Sequence, residues 1–229
     1  DLAALGESLR QVVELKQDVK VEGRAGISGK VEMKGKDFVR FDVDAKVSDL
    51  VAVDKARHEI DKTIELKAAG TWDGAKKALD VGRASLVSSF ASLDGKGGCS
   101  LGPPLDVKES SDKAQGDLEK LAAKMAIFLE KPPAVGGKAS LDAKYSGESF
   151  VVNGNFQGLR FEELGPLNAE LKHEGTLDKK GSGHHKLHLE SGKALAADVT
   201  ADLKEVFSET PGADVEFGLR SDLKAVMEL

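Results

Sequence analysis

Three histidines, side chains that bind metals or move protons, fall within one short stretch, His184, His185 and His188. Gly181 and Gly183 precede them, and Leu187 and Leu189 alternate with polar residues, so the stretch reads as a strand and not as a helix. On a strand His184 and His188 share a face but stand roughly 13 Å apart, whereas one zinc ion draws its nitrogens in to about 2.0 Å. The spacing predicts solvated strand residues, with His58 and His173 isolated elsewhere. Cys99, the single cysteine, lies among Gly95, Gly97 and Gly98 without a nearby histidine to activate it. No serine sits in a Gly-x-Ser-x-Gly elbow, and those glycines lack the Lys-Ser/Thr that completes a phosphate loop. These residues point away from an enzyme, and no metal or cofactor is expected.

Charge and composition narrow the classes further. The chain has 33 basic and 39 acidic residues, a net charge of −6, with both signs interleaved. A nucleic-acid surface needs clustered, uncompensated Lys and Arg, so that class is excluded. One cysteine cannot form an internal disulfide, which fits a reducing compartment and is compatible with a periplasm. No apolar run approaches the roughly 20 residues of a membrane-spanning helix, the longest compact one being 125–129. The chain starts at Asp1, within a helical pattern and without an initiator Met, and is read as a segment of something longer.

The dominant pattern is alternation. Val19, Val21, Ala25, Ile27, Val31 and Met33 fall on one parity, with Lys20, Glu22, Arg24, Lys30, Glu32 and Lys34 on the other, and Val39 to Val47 repeats the scheme. Successive strand side chains point to opposite faces, so this predicts long strands, apolar on one side and solvated on the other. Aromatics make up only 5% of the chain, leaving Val, Leu, Ala and Gly to line the apolar side. That lining suits either a sandwich core filled by Val and Leu or an open groove.

Helical spacing is seen in Leu2, Leu5, Leu9, Val12 and Val13 after Asp1 and in Leu118, Leu121, Ala122, Met125 and Leu129 after Asp117, before Pro132 and Pro133, and Asp222, Leu223, Val226 and Met227 read as the start of a further Asp-Leu helix. Short amphipathic helices are expected over 1–16 and 117–131. Each leads into alternating strands, Ala139 to Tyr145 and then a hairpin to Phe150–Phe156 in the second case. ELKAAGTWD at 65–73 matches ELKHEGTLD at 170–178 at six of nine positions, and each is followed by another strand, 79–87 or 186–190. The order of parts predicts a repeat: one unit over 1–116, a second over 117–201, and the start of a further one over 202–229. The stretch 95–116, rich in Gly, Pro, Ser, Asp and Lys, is expected to be a connection with one short strand.

This succession of Asp-Leu-x-x-Leu helix, GGKASLDAKYSG strand, hairpin and ELKxxGTxD strand resembles the C-terminal repeats of AsmA-like proteins, relatives of TamB. The resemblance implies a mainly β fold, an extended, curved, taco-like antiparallel sheet, in a periplasmic region of a protein anchored in the bacterial inner membrane. It implies a bridge-like lipid-transfer function in outer-membrane lipid homeostasis, with phospholipid acyl chains as partners, a membrane reached through regions outside this chain, other envelope proteins as further partners, and no nucleic acid. The residues expected to line the groove are Val19, Val21, Ile27, Val31, Met33, Val39, Phe41, Val43, Val47, Leu141, Tyr145, Phe150, Val152, Phe156, Leu187 and Leu189. Two other classes fit the same pattern: an assembly protein that pairs client strands at its sheet edges, and a closed β-sandwich adhesion module.

Overall fold

The computed structural model describes residues 19–53, 55–100, 106–131, 133–161, 164–178, 180–192, 194–206 and 210–222. The helix expected over 1–16 and the end of the third unit, 223–229, lie outside them. Twelve strands follow one another: β1 (Lys20–Lys34), β2 (Phe38–Val53), β3 (Arg57–Asp73), β4 (Ala78–Val87), β5 (Ala91–Ser100), β6 (Asp106–Asp117), β7 (Val135–Ser146), β8 (Ser149–Phe161), β9 (Leu164–Thr176), β10 (Gly183–Ser191), β11 (Leu195–Lys204) and β12 (Gly212–Ser221). All belong to one antiparallel sheet in which each strand pairs with its sequence neighbours. The sheet does not close, leaving β1 and β12 as edges.

The expected mainly β, open antiparallel fold is therefore present, and the strands do not divide into the two packed layers of a sandwich. One row of directly opposed residues shows how the alternation is used. It runs Ile27, Ala45, Leu66, Leu86, Leu93, Ala114, Leu141, Gly154, Leu171, Leu189, Ala197 and Leu219, crossing every strand without a polar side chain. One residue along each strand, the adjacent row is Ser28, Asp44, Lys67, Ser85, Asp94, Lys113, Asp142, Asn153, Lys172, His188, Asp198 and Gly218. Because strand side chains alternate, these rows define an apolar and a polar face for the whole sheet. Bulges preserve that sorting: the extra residue near Gly82 shifts the β3–β4 register yet keeps Leu79, Val81, Ala84 and Leu86 on the apolar face.

A single layer exposes much surface. The chain presents 15704 Å², against about 10,000 Å² for a compact monomer of this mass. Its buried apolar residues, Val51, Ala52, Ile60, Ala122, Leu129, Ala169 and Ala194, lie at or toward one end of the sheet. Helix α1 (Leu118–Phe128) occupies that end, between β6 and β7. Asp117 caps it by accepting the Lys120 N–H at 3.0 Å, and the Lys124 ammonium donates to the Glu59 carbonyl at 2.5 Å, tying the helix to the start of β3. Asp61 is also buried here. Burial pushes its pKa up, but the backbone N–H groups of Ser89 and Thr63 donate to the carboxylate and hold it below the usual range.

One expectation is corrected. The stretch 95–116 is no connection with a single short strand, because β5 and β6 are full members of the sheet. Gly97 allows close approach of the two strands: a Cβ there would stand 2.8 Å from the Glu109 carbonyl oxygen and from the Ser110 Cβ. Low β-propensity is overridden by a register that leaves no room for a side chain.

Some features recur in the two six-strand halves of the sheet, β1–β6 and β7–β12. Leu66 and Leu171 lie in the same apolar row, on the third strand of each six-strand half. Gly70 on β3 is opposite Phe41 and Val81, and Gly175 on β9 is opposite Phe150 and His185, so each glycine has an aromatic residue on the preceding strand. Asp73 and Asp178 then each accept backbone N–H groups within the following turn, from Lys76 in one and from Lys180 and Ser182 in the other.

Candidate functional site: the apolar face

The register places Val21, Ile27, Val31, Met33, Val39, Phe41, Val43, Val47, Leu141, Tyr145, Phe150, Val152, Phe156, Leu187 and Leu189 on one face. Val19 stands one residue before β1, outside the ladder. Strand pairing adds to this face residues that were not expected to line it, including Trp72, Leu79, Cys99, Val199, Val215 and Phe217. The face is open to solvent. Its edge residues Ile27, Val31, Met33, Val215, Phe217 and Leu219 are 57% to 78% exposed, and Leu66, Leu93 and Leu141 on interior strands remain 39% to 45% exposed.

Within this face, aromatic rings lie over glycines. Phe41 Cζ would stand 2.9 Å from a Cβ on Gly70, Phe150 Cζ 3.1 Å from one on Gly175, and Phe156 Cε2 3.2 Å from one on Gly154. Phe41 and Phe150 are accommodated because their cross-strand partners Gly70 and Gly175 have no side chain, while Phe156 leans over Gly154 two residues back on its own strand. A smooth apolar surface results from few aromatic residues.

Two interruptions are polar. Asp112 and Ser110 on β6 share the face, beside Gly95 and Gly97 of β5. On β9 and β10, His173 and His185 meet, the His173 Nε2 and His185 Nδ1 being 3.3 Å apart, with the Phe150 ring at centroid distances of 4.8 Å and 5.2 Å. His173 is therefore not isolated, contrary to expectation, since the β9–β10 register brings residues twelve apart into contact. One imidazole donates and the other accepts, which requires a neutral ring. The His185 Nε2 is buried without a hydrogen-bond partner.

The other two histidines of the stretch behave as expected of solvated strand residues. His184 pairs with Asp202 at 2.8 Å, and His188 with Asp198 at 2.7 Å and Glu190 at 3.3 Å, all on the polar face. Among the described residues no three side chains of metal-ligating type converge. The polar face also carries a hollow of about 410 Å³, where Ser92, Gln115, Ser140 and Asn155 form an uncharged band on a surface otherwise rich in charge.

Comparison of the chain with models of protein families, with curated proteins and with solved structures returns no match. The functional reading therefore rests on the faces of the sheet themselves.

The histidine pair sets a dependence on pH. Burial, then the neighbouring His173 and His184, lower the pKa of His185. An unfolded chain takes up its proton near the ordinary value of about 6.5, before the folded one does, so this contribution is complete above that value and is lost as the pH falls below it. His188 acts in the opposite sense: its hydrogen bonds to Asp198 and Glu190 raise its pKa, giving stability that is present in acid and lost as the pH rises through the raised value. Thermal unfolding followed from pH 7.5 to 5 is expected to show a fall in the wild type that is smaller in His185→Leu. An equal acid-side fall in both proteins would assign the loss to other groups.

Proposed function

We propose that the apolar face binds the acyl chains of phospholipids, and that the chain is part of a bridge-like lipid-transfer protein of the bacterial envelope. The observation that carries this reading is the unbroken apolar row, exposed in the interior of the sheet as well as at its edges. Covering about ten methylenes fully would withdraw them from water for about 8 kcal/mol, the scale of a micromolar Kd before ordering costs. Acyl chains need a continuous apolar surface and no specific polar partner, and the row supplies such a surface while headgroups remain in water. The resemblance to AsmA-like repeats supports the same reading.

The test is native mass spectrometry of protein purified from bacterial cells, followed by lipid extraction. Co-purified phospholipid, or uptake of fluorescent phospholipid from vesicles by stripped protein, is the expected result. A protein that carries no lipid and takes none up would remove the proposal.

A further inference from the structure

The two edges of the sheet complement one another, and we infer that copies of this chain join head to tail, β12 of one pairing antiparallel with β1 of the next. The inference rests on the strand edges and is independent of lipid binding. Among the described residues no strand pairs with the outer edge of β1 or of β12, the condition under which another strand can add. The sheet itself supplies the register. Continuing the apolar row past Leu219 sets it opposite Ile27 of the neighbouring copy, as Ala114 is opposite Leu141 where the two six-strand halves meet.

In that register all of β12, Gly212–Ser221, is matched by residues 25–34 of β1, beyond the irregularity between Glu22 and Arg24. Phe217 then faces Gly29, reproducing the pairing of Phe41 with Gly70 and of Phe150 with Gly175. Val215 faces Val31 on the same apolar side. On the polar side Glu216 faces Lys30, and neither forms an ion pair with its own chain among the described residues. One like-charged pair, Asp214 with Glu32, is moderated because Asp214 is held by Lys204 at 2.7 Å. Moving the register by two residues either way exchanges these for Asp214 with Lys34 and Glu216 with Glu32, or for Asp214 with Lys30 and Arg220 with Arg24, one opposite-charged and one like-charged pair in each case, so the register is set by the continued apolar row and by Phe217 over Gly29 and not by charge. The contact uses different surfaces on the two copies, and association of this kind extends beyond a dimer unless it closes into a ring.

Sedimentation over a range of concentrations is expected to give a mass that rises above the monomer. Lys30→Glu and Glu216→Lys should each weaken association at least tenfold, with circular dichroism unchanged. An equimolar mixture of the two variants, and the doubly substituted chain, should both recover it, because opposite charges face one another again. In a Cys99→Ser background, chains carrying only Val31→Cys or Lys30→Cys should crosslink to chains carrying only Val215→Cys or Glu216→Cys, respectively, at whichever of these adjacent positions has disulfide geometry. A monomer at every concentration, or association indifferent to both charge reversals, would overturn the inference.

Discussion

Val43→Glu is expected to fold and to lose most of its bound lipid. Val43 lies on the apolar face between Gly29 and Ala68, one strand in from the edge, and is only partly buried. In a closed core an unpaired carboxylate at such a position costs several kcal/mol, comparable with the stability of a whole domain. Here no second layer covers the sheet, so the carboxylate keeps access to water. The cost then reduces to lost apolar contact and weaker strand propensity, about 1 to 2 kcal/mol. For an acyl chain the effect is larger, since crossing the position would strip water from a charge. Asp42→Glu, on the exposed polar face, is the companion variant and should change neither quantity. Thermal unfolding and lipid stoichiometry measured side by side check the expectation. Failure of Val43→Glu to fold, together with an absence of lipid on the wild type, would show that the face is covered in solution and would sink the groove reading.

The faces of the sheet were legible because alternation is a local property. Val39, Phe41, Val43 and Val47 against Arg40, Asp42, Asp44 and Lys46 need no knowledge of any other strand, and the same holds for Ala139 to Tyr145 and Phe150 to Phe156. The second helix was legible from its Asp117 cap and apolar stripe, and it ends at Leu129, just before the prolines. In contrast β5 and β6 are composed of residues that favour turns. Their strand character comes from pairing with β4 and β7, and pairing partners leave no mark in local composition. The turn-like reading of 95–116 failed for that reason.

The candidate site divides along the same line. Its apolar residues were identified from parity alone, but the contact of His173 with His185 depends on the β9–β10 register, which no single segment encodes. The clue that was present lies in the repeat: where the first copy has Ala68 and Ala69 before Gly70, the second has His173 and Glu174 before Gly175. A histidine in place of an alanine on an otherwise apolar parity marks the position at which the two copies part.

Gly70→Val is expected to be strongly damaging. A Cβ on Gly70 would collide with the Asp80 carbonyl oxygen on β4, and would also approach Phe41 Cζ to 2.9 Å and Val81 Cα to 3.1 Å. A ring can turn aside, but a carbonyl oxygen in a strand cannot move without loosening the β3–β4 ladder. Phe41→Ala should therefore fail to rescue Gly70→Val. Overpacking in well-ordered structure typically costs about 1 to 3 kcal/mol, and disruption of the strand pairing adds to that, a large share of the stability of a sheet with so little fully buried apolar surface. Gly175→Val should behave alike, since its Cβ would stand 2.5 Å from the His184 carbonyl oxygen and 3.1 Å from Phe150 Cζ. Gly26 is the contrasting position: on exposed β1, with nothing within 4 Å of the place a Cβ would take, it should accept Val without loss, because β-branched side chains suit a strand and limit the freedom of the unfolded chain. Urea unfolding of the three variants separates the cases. If Gly70→Val and Gly175→Val shift the midpoint no more than Gly26→Val does, the close approach of the strands at the two equivalent glycines is not what holds the halves of the sheet in register.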